Sequence, residues 1–409
     1  MDEQQCPIVL DRAGTDVHAE SARIRARGPV TRVELPGGVL AWSVTSLELA
    51  KRVLGDEERF AKDAHRHWPA LINGEIPQAW PLIGWVAMDN MTTHDGADHV
   101  RLRGLISRGF TARRIESIRP SIEKIANELL DELACVDHGE VVDLKARYAY
   151  RLPARVICDL FGVPDELRAD VLRGGEVNID TRITPEEAVA NVEQWHEAMH
   201  ELVAAKRRKP GDDLTSALIA ARDEDGSQLT DKELVGTLHL MLGAGSETLM
   251  NLLSKAVLSL LTHPAQLELV TSGGIGWSEV VEEALRVESP VAQLPFRFAR
   301  ADTELGGVTI AKGDPVLIGF AAIGRDRAVH GETADRFDIT RPVKTHLSFG
   351  HGVHFCLGAP LARMEASIAL PALFDRFPRL QLAVAPDELE PQGTFIMNGN
   401  RTLPVRLTA

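Results

Sequence analysis

Residues 347–360 read LSFGHGVHFCLGAP. Two histidines, one cysteine and three glycines share this short run, and such a mixture raises the question of a metal. A structural zinc site needs about four ligands, normally supplied as two spaced pairs. His351, His354 and Cys356 lie close together, but no second CxxC or HxxxH pair accompanies them. A free cysteine buried among apolar neighbours is the plain alternative. The flanks point elsewhere. Phe349, Gly352, Cys356 and Gly358 fall in the pattern F-x-x-G-x-x-x-C-x-G, immediately before a predicted helix. A helix N-terminus favours negative charge and lowers a thiol's pKa. Glycine lets backbone approach a flat ligand closely. A lone thiolate beside an apolar Phe suits haem iron.

The rest of the chain provides the setting. It has 409 residues, 44% hydrophobic and 25% charged, with a formal net charge of −14. That is the composition of an ordinary globular protein. The acidic balance argues against bulk nucleic-acid or anionic-membrane binding. The four cysteines, Cys6, Cys135, Cys158 and Cys356, are scattered, which suits a reducing, cytoplasmic setting. The N-terminus shows no export pattern. Residues 234–261 are long and mostly apolar, yet contain His239, Glu247, Asn251 and Lys255. An acid at mid-bilayer costs about 3 kcal/mol, so a buried central helix is expected there and not a membrane span.

Residues 29–35 and 39–44 flank Pro-Gly-Gly and predict a β-hairpin. From about residue 46 to 263 the periodicity is helical, including 116–136 and 192–209, with a short helix after 211–213. Thr230 and Glu233 form a capping box that opens the long apolar helix, and Pro264 ends it. A helix over 277–290 follows. Short strands are then expected over 293–320, a last helix over 359–377, and a closing hairpin from GTFIMNG and LPVRL. The expected fold is mainly α with a minor β part, residues 1–409 forming a single domain.

The cysteine loop resembles that of the cytochrome P450 family, and the resemblance runs over nearly the whole chain. It implies that Cys356 is the axial ligand of a haem b iron, with Phe349 shielding the sulfur and Gly358 making space. AGSET (244–248) is similar to the family's oxygen-helix signature. Ala244 and Gly245 are then expected over the haem, the small residue leaving room for O2. Thr248 and Glu247 are expected to relay protons, Thr248 through a local bulge of the helix. Glu283 and Arg286 have the E-x-x-R spacing, with Arg336 expected as third member of that structural triad. Ala334 stands where the family usually has Pro, and Gly324 and Arg327 where Asn and Pro are common. His99, Arg103, Arg297 and His354 are implied as partners of the haem propionates, which leaves His351 without a role.

The resemblance implies a monooxygenase that takes O2 as co-substrate. No glycine-rich nucleotide fingerprint follows a strand, so electrons are expected from a separate protein, which the resemblance implies is a ferredoxin fed from NAD(P)H by its reductase. Arg108, Arg113, Arg114 and Arg363 are candidates for docking that acidic partner. The enzyme itself is expected to be a monomer. Trp85, Ile179, His239, Leu240, Val291, Leu294, Met397 and Asn398, with Ala244, are expected to line an apolar substrate cavity. Stretches such as KDAHRHWPA and HGETADRFD resemble actinobacterial members that act on steroids or macrolides. A steroid is expected first and a macrolide second. A peroxide-driven relative and a non-enzymatic haem sensor are the competing classes. The Glu247–Thr248 pair argues against the former, the long helix with Gly245 against the latter.

Overall fold

The computed structural model describes residues 6–137, 139–222 and 226–407, the side chains of Glu176, Asn178 and Ile179 excepted. Its axis is the helix Asp231–Thr262. Thr230 accepts from the backbone N–H of Glu233, and the Glu233 carboxylate accepts in return from the N–H of Thr230. This is the reciprocal cap that the sequence predicts. Arg101 pairs with Glu233 and ties the helix Gly96–Gly109 to the same end. At the other end, Pro264 begins a new helix. The helix is buried along most of its length, among them Leu238, Leu242, Leu253, Ala256 and Leu260. It serves as a core element of a helical layer. No helix among the described residues is long and apolar enough to cross a membrane.

Around this axis pack the helices Arg151–Phe161, Arg168–Ile179, Pro185–Arg208, Trp277–Val287 and Ala359–Arg376, with Arg119–Ala134 packed on the first and last of these. Val30–Leu35 and Val39–Val44 form the predicted hairpin, Leu35 opposite Val39. It continues through Pro315–Ile318 and Leu294–Ala299 into a six-stranded sheet. Trp68, Trp80, Phe296 and Phe298 pack together beneath that sheet.

Two expectations fail. The C-terminal segments do not form a hairpin with each other. Pro404–Arg406 pairs with Val141–Asp143 and Gln381–Leu382, while Met397 makes a separate bridge to Val291. The triad is also built differently. Arg286 and Glu283 are fully buried and doubly bonded at 2.7 and 2.8 Å. Arg286 also donates to the carbonyls of Gly324, Ala334 and Arg336. The side chain that joins them is Arg341, 3.5 Å from Glu283, and not the exposed Arg336, which gives only its carbonyl. The departures at Gly324 and Ala334 therefore sit in this network. A Cβ on Gly324 would lie 1.7 Å from the Arg286 carbonyl oxygen, so only glycine fits there.

Candidate active site

The cysteine loop folds back on itself before the helix Ala359–Arg376. The Cys356 N–H donates to the Phe349 carbonyl at 2.8 Å and closes the loop. Gly350 and Gly352 take positive φ, 75° and 74°. A Cβ on Gly352 would lie 2.8 Å from the Leu54 carbonyl oxygen, so the glycine spacing reflects a close backbone approach. Burial pushes the Cys356 thiol up; the backbone N–H groups of Gly358 and Ala359 and the charges of Arg103 and Arg363 act against it. Cys356 is nonetheless exposed. Arg363 lies over the Phe349 ring at 4.5 Å and bonds Glu282 at 2.6 and 3.1 Å. It braces the loop from below.

His354 packs against His99. Its ring centre is 4.0 Å from that of His99, and the Nε2 atoms of both are buried without a hydrogen-bond partner among the described residues. Burial, then the neighbouring Arg103, holds the His99 imidazole down to about 4. His354 is lowered further by burial, Arg297 and Lys62. Arg297 is buried and held down to about 10, chiefly by desolvation. Arg103 donates to the Phe355 carbonyl at 2.7 Å, joining its helix to the cysteine loop. Ligand atoms of Glu57, His99 and His354 lie within 4.8 Å of one another. Three such groups also suit a divalent cation. The surrounding Lys62, Arg297 and Arg103 are cationic, however, and buried cations need anions, so carboxylates fit this pocket better. The residues thus fit a haem whose iron meets Cys356 and whose propionates meet this cluster. Lys62 was not among the expected residues, because an isolated lysine carries no sequence signal.

The central helix presents an exposed Ala244 between the half-buried Gly243 and Gly245, and a half-buried Thr248 one turn on. The helix stays α throughout, without a bulge. The Thr248 hydroxyl donates to the Ala244 carbonyl at 2.9 Å, bonding back one turn. Glu247 is buried, and its carboxylate accepts from the Gln392 amide at 3.2 Å. Gly245 has a different reason from the one expected. A Cβ there would meet Ile157 Cδ1 at 2.7 Å, so the small residue admits the helix Arg151–Phe161.

Several expected cavity residues are placed elsewhere. His239 packs against Trp195 at 4.6 Å and faces the helix Pro185–Arg208, its imidazole held down to about 4 by burial. The Asn398 amide donates to Glu288 at 3.1 Å, in a buried group with His18, Lys255 and Arg325. Met397 is buried in the aromatic cluster, which Trp85 and Val291 flank. Leu240 and Leu294 are half-buried. The side chain of Ile179 lies outside the described residues. His351 is exposed beside Gly55.

Comparison with known proteins agrees with this geometry. The Cytochrome P450 family model matches residues 183–271 and 278–403. The chain is 60% identical over 402 residues, 98% of each chain, to 2-hydroxy-5-methyl-1-naphthoate 7-hydroxylase of Streptomyces carzinostaticus. It is 38% identical to the cytochrome P450 monooxygenase PikC of Streptomyces venezuelae, over 98% of this chain and 94% of that one. Among solved structures, testosterone-bound CYP154C4 from Streptomyces sp. ATCC 11861 superposes with a TM-score of 0.95, at 43% identity and 99% coverage of each chain. The chain belongs to the cytochrome P450 family, as a monooxygenase that hydroxylates small molecules.

Proposed function

We propose that Cys356 is the axial thiolate of haem b and that the enzyme hydroxylates a flat, fused-ring aromatic carboxylate of the naphthoate type. The haem contacts rest on the cluster of Arg103, Arg297 and Lys62 with the neutral imidazoles of His99 and His354, whose Nε2 atoms are buried without a partner among the described residues. The observation that carries the substrate class is the 60% identity, over 98% of both chains, to a naphthoate hydroxylase. Residues 1–409 act as one domain, a monomer working in the cytoplasm.

When bound, the haem supplies reductive activation of O2 and insertion of one oxygen atom into a substrate C–H bond. The chain does the rest. The N–H groups of Gly358 and Ala359, with Arg103 and Arg363, favour negative charge on the Cys356 sulfur, against the burial that raises the thiol. Phe349 keeps water from it. His99, Arg103, Arg297, His354 and Lys62 hold the propionates. Ala244 keeps the helix face open for substrate. The Thr248 hydroxyl, donating to Ala244, offers its lone pairs to a water and steadies the proton that water carries. Glu247 replenishes that proton by turning from Gln392. Electrons arrive from NAD(P)H through a ferredoxin and its reductase.

A steroid is the second reading, supported by the testosterone-bound relative at 43% identity. A macrolide ranks below both, since relatives such as 6-deoxyerythronolide B hydroxylase are 38% identical. Titrating the ferric enzyme with hydroxynaphthoic acids and with testosterone separates these. Water displaced from iron converts low spin to high spin, and turnover should add one oxygen to the compound that binds. A response to testosterone alone moves the assignment to steroids. Silence from both ends the fused-ring reading.

A further inference from the structure

The outward side of the helix Pro185–Arg208 carries two exposed histidines one turn apart, His196 and His200. Their Nε2 atoms are hydrogen-bonded at 3.0 Å, a bond that an ion between them would replace, and their ring planes cross at 78°. With metal–nitrogen bonds of about 2.0–2.1 Å, two neighbouring ligands on one ion sit roughly 3.0–3.4 Å apart. The two imidazoles therefore already stand at the separation of a chelating pair. Desolvation, then the charge of His200, lowers the His196 pKa, which keeps its ring neutral and able to donate a lone pair.

The surroundings favour a cation. Glu193 and Glu197 each precede one of the histidines by three residues, the spacing that places side chains on one helix flank. Asp231, bonded to Arg207, is close enough to His200 to feel its charge. Behind the pair lies His239 of the central helix, its ring 5.7 Å from that of His196 and nearly parallel to it. The His239 Nε2 is buried and meets no partner among the described residues. None of these groups belongs to the haem site.

We propose that His196 and His200 chelate a divalent transition-metal ion of the class that imidazole prefers, Zn(II), Ni(II) or Cu(II), on the outer face of this helix. A bound ion cross-links one turn of the helix next to Trp195. That indole donates to the Val171 carbonyl at 2.9 Å and fills the space beside Gly174 and Gly243. The ion therefore stiffens the contact between this helix, the helix Arg168–Ile179 and the central helix.

The test uses haem-loaded enzyme stripped with a chelator and titrated with zinc chloride against a chromogenic competitor. One equivalent should bind, and both His200→Ala and His196→Ala should weaken it at least tenfold with an unchanged Soret band. His200 is exposed, so its replacement leaves the fold intact. Copper(II) should give an EPR spectrum with nitrogen hyperfine splitting from two imidazoles, lost in His200→Ala. Wild-type zinc affinity in both variants would put the ion elsewhere, for instance on Glu57, His99 and His354, and overturn the assignment. So would wild-type enzyme that takes up no more zinc than the double variant.

Discussion

Ala244 and Gly245 are adjacent small residues with separate duties. Gly245 faces Ile157, so its substitution tests packing. Gly245→Ala adds a methyl where overpacking costs about 1–3 kcal/mol, offset by about 1 kcal/mol of helix propensity. Denaturant unfolding should show a net loss that Ile157→Val restores; a gain in stability for Gly245→Ala would mean the contact is slack. Ala244 faces open space, so Ala244→Leu should leave stability unchanged and abolish the substrate-induced spin shift. Thr248 carries the proton argument. Thr248→Ala removes only the hydroxyl, so haem and substrate binding should persist while NAD(P)H consumption drains into peroxide. Product per NAD(P)H should fall about tenfold or more, within the range of a lost proton-transfer group. Unchanged coupling would remove Thr248 from the relay.

The cysteine loop is supported as an element by Glu282 of the helix Trp277–Val287. Desolvation acts to raise this carboxyl, but hydrogen bonds from His346 and Arg363 prevail and hold it down to about 2. A carboxyl lowered on folding contributes stability that is complete above its unfolded pKa of about 4.3 and lost as pH falls toward 2. Loss of the Soret band should therefore steepen below about pH 4.5 in the wild type. Glu282→Gln should be weaker at pH 7 and flatter across that window; parallel curves would discount the brace. The loop itself was legible in the sequence because its glycine spacing is a local backbone requirement, met at Gly352 against Leu54. The capping box at Thr230 and the hairpin at residues 30–44 were legible for the same reason. What stayed hidden was long-range. Spacing could not show that Arg341, five residues beyond Arg336, turns back to Glu283. Nor could it show that Pro404–Arg406 finds partners at residues 141–143 and 381–382, or that Asn398 is held by Glu288.

Across the whole molecule, the ferredoxin proposed above, an acidic partner, would have to meet a chain with a net charge of −14. Of the four expected docking arginines, Arg363 is held by Glu282 and Arg114 pairs with Asp212 at 3.3 Å. Arg108, Arg113 and Arg114 line one recess of about 510 Å³ with Thr111 and Ser117. The short helix Ala112–Ser117 that carries two of them packs on Ala359–Arg376, the helix that follows Cys356. The recess, which Asp159 and Asp212 also line, thus adjoins the helix that follows Cys356. A charge at the rim of such a contact governs encounter more than the bound state. Arg113 is exposed, so Arg113→Glu should raise the KM for ferredoxin about tenfold at low salt and leave kcat at saturating ferredoxin near wild type. Near 1 M salt, with a screening length of about 3 Å, the two enzymes should converge. Equal KM values at low salt would place the ferredoxin on another face, whereas a fall in kcat that saturation does not rescue would mean that Arg113 supports the fold and not the encounter.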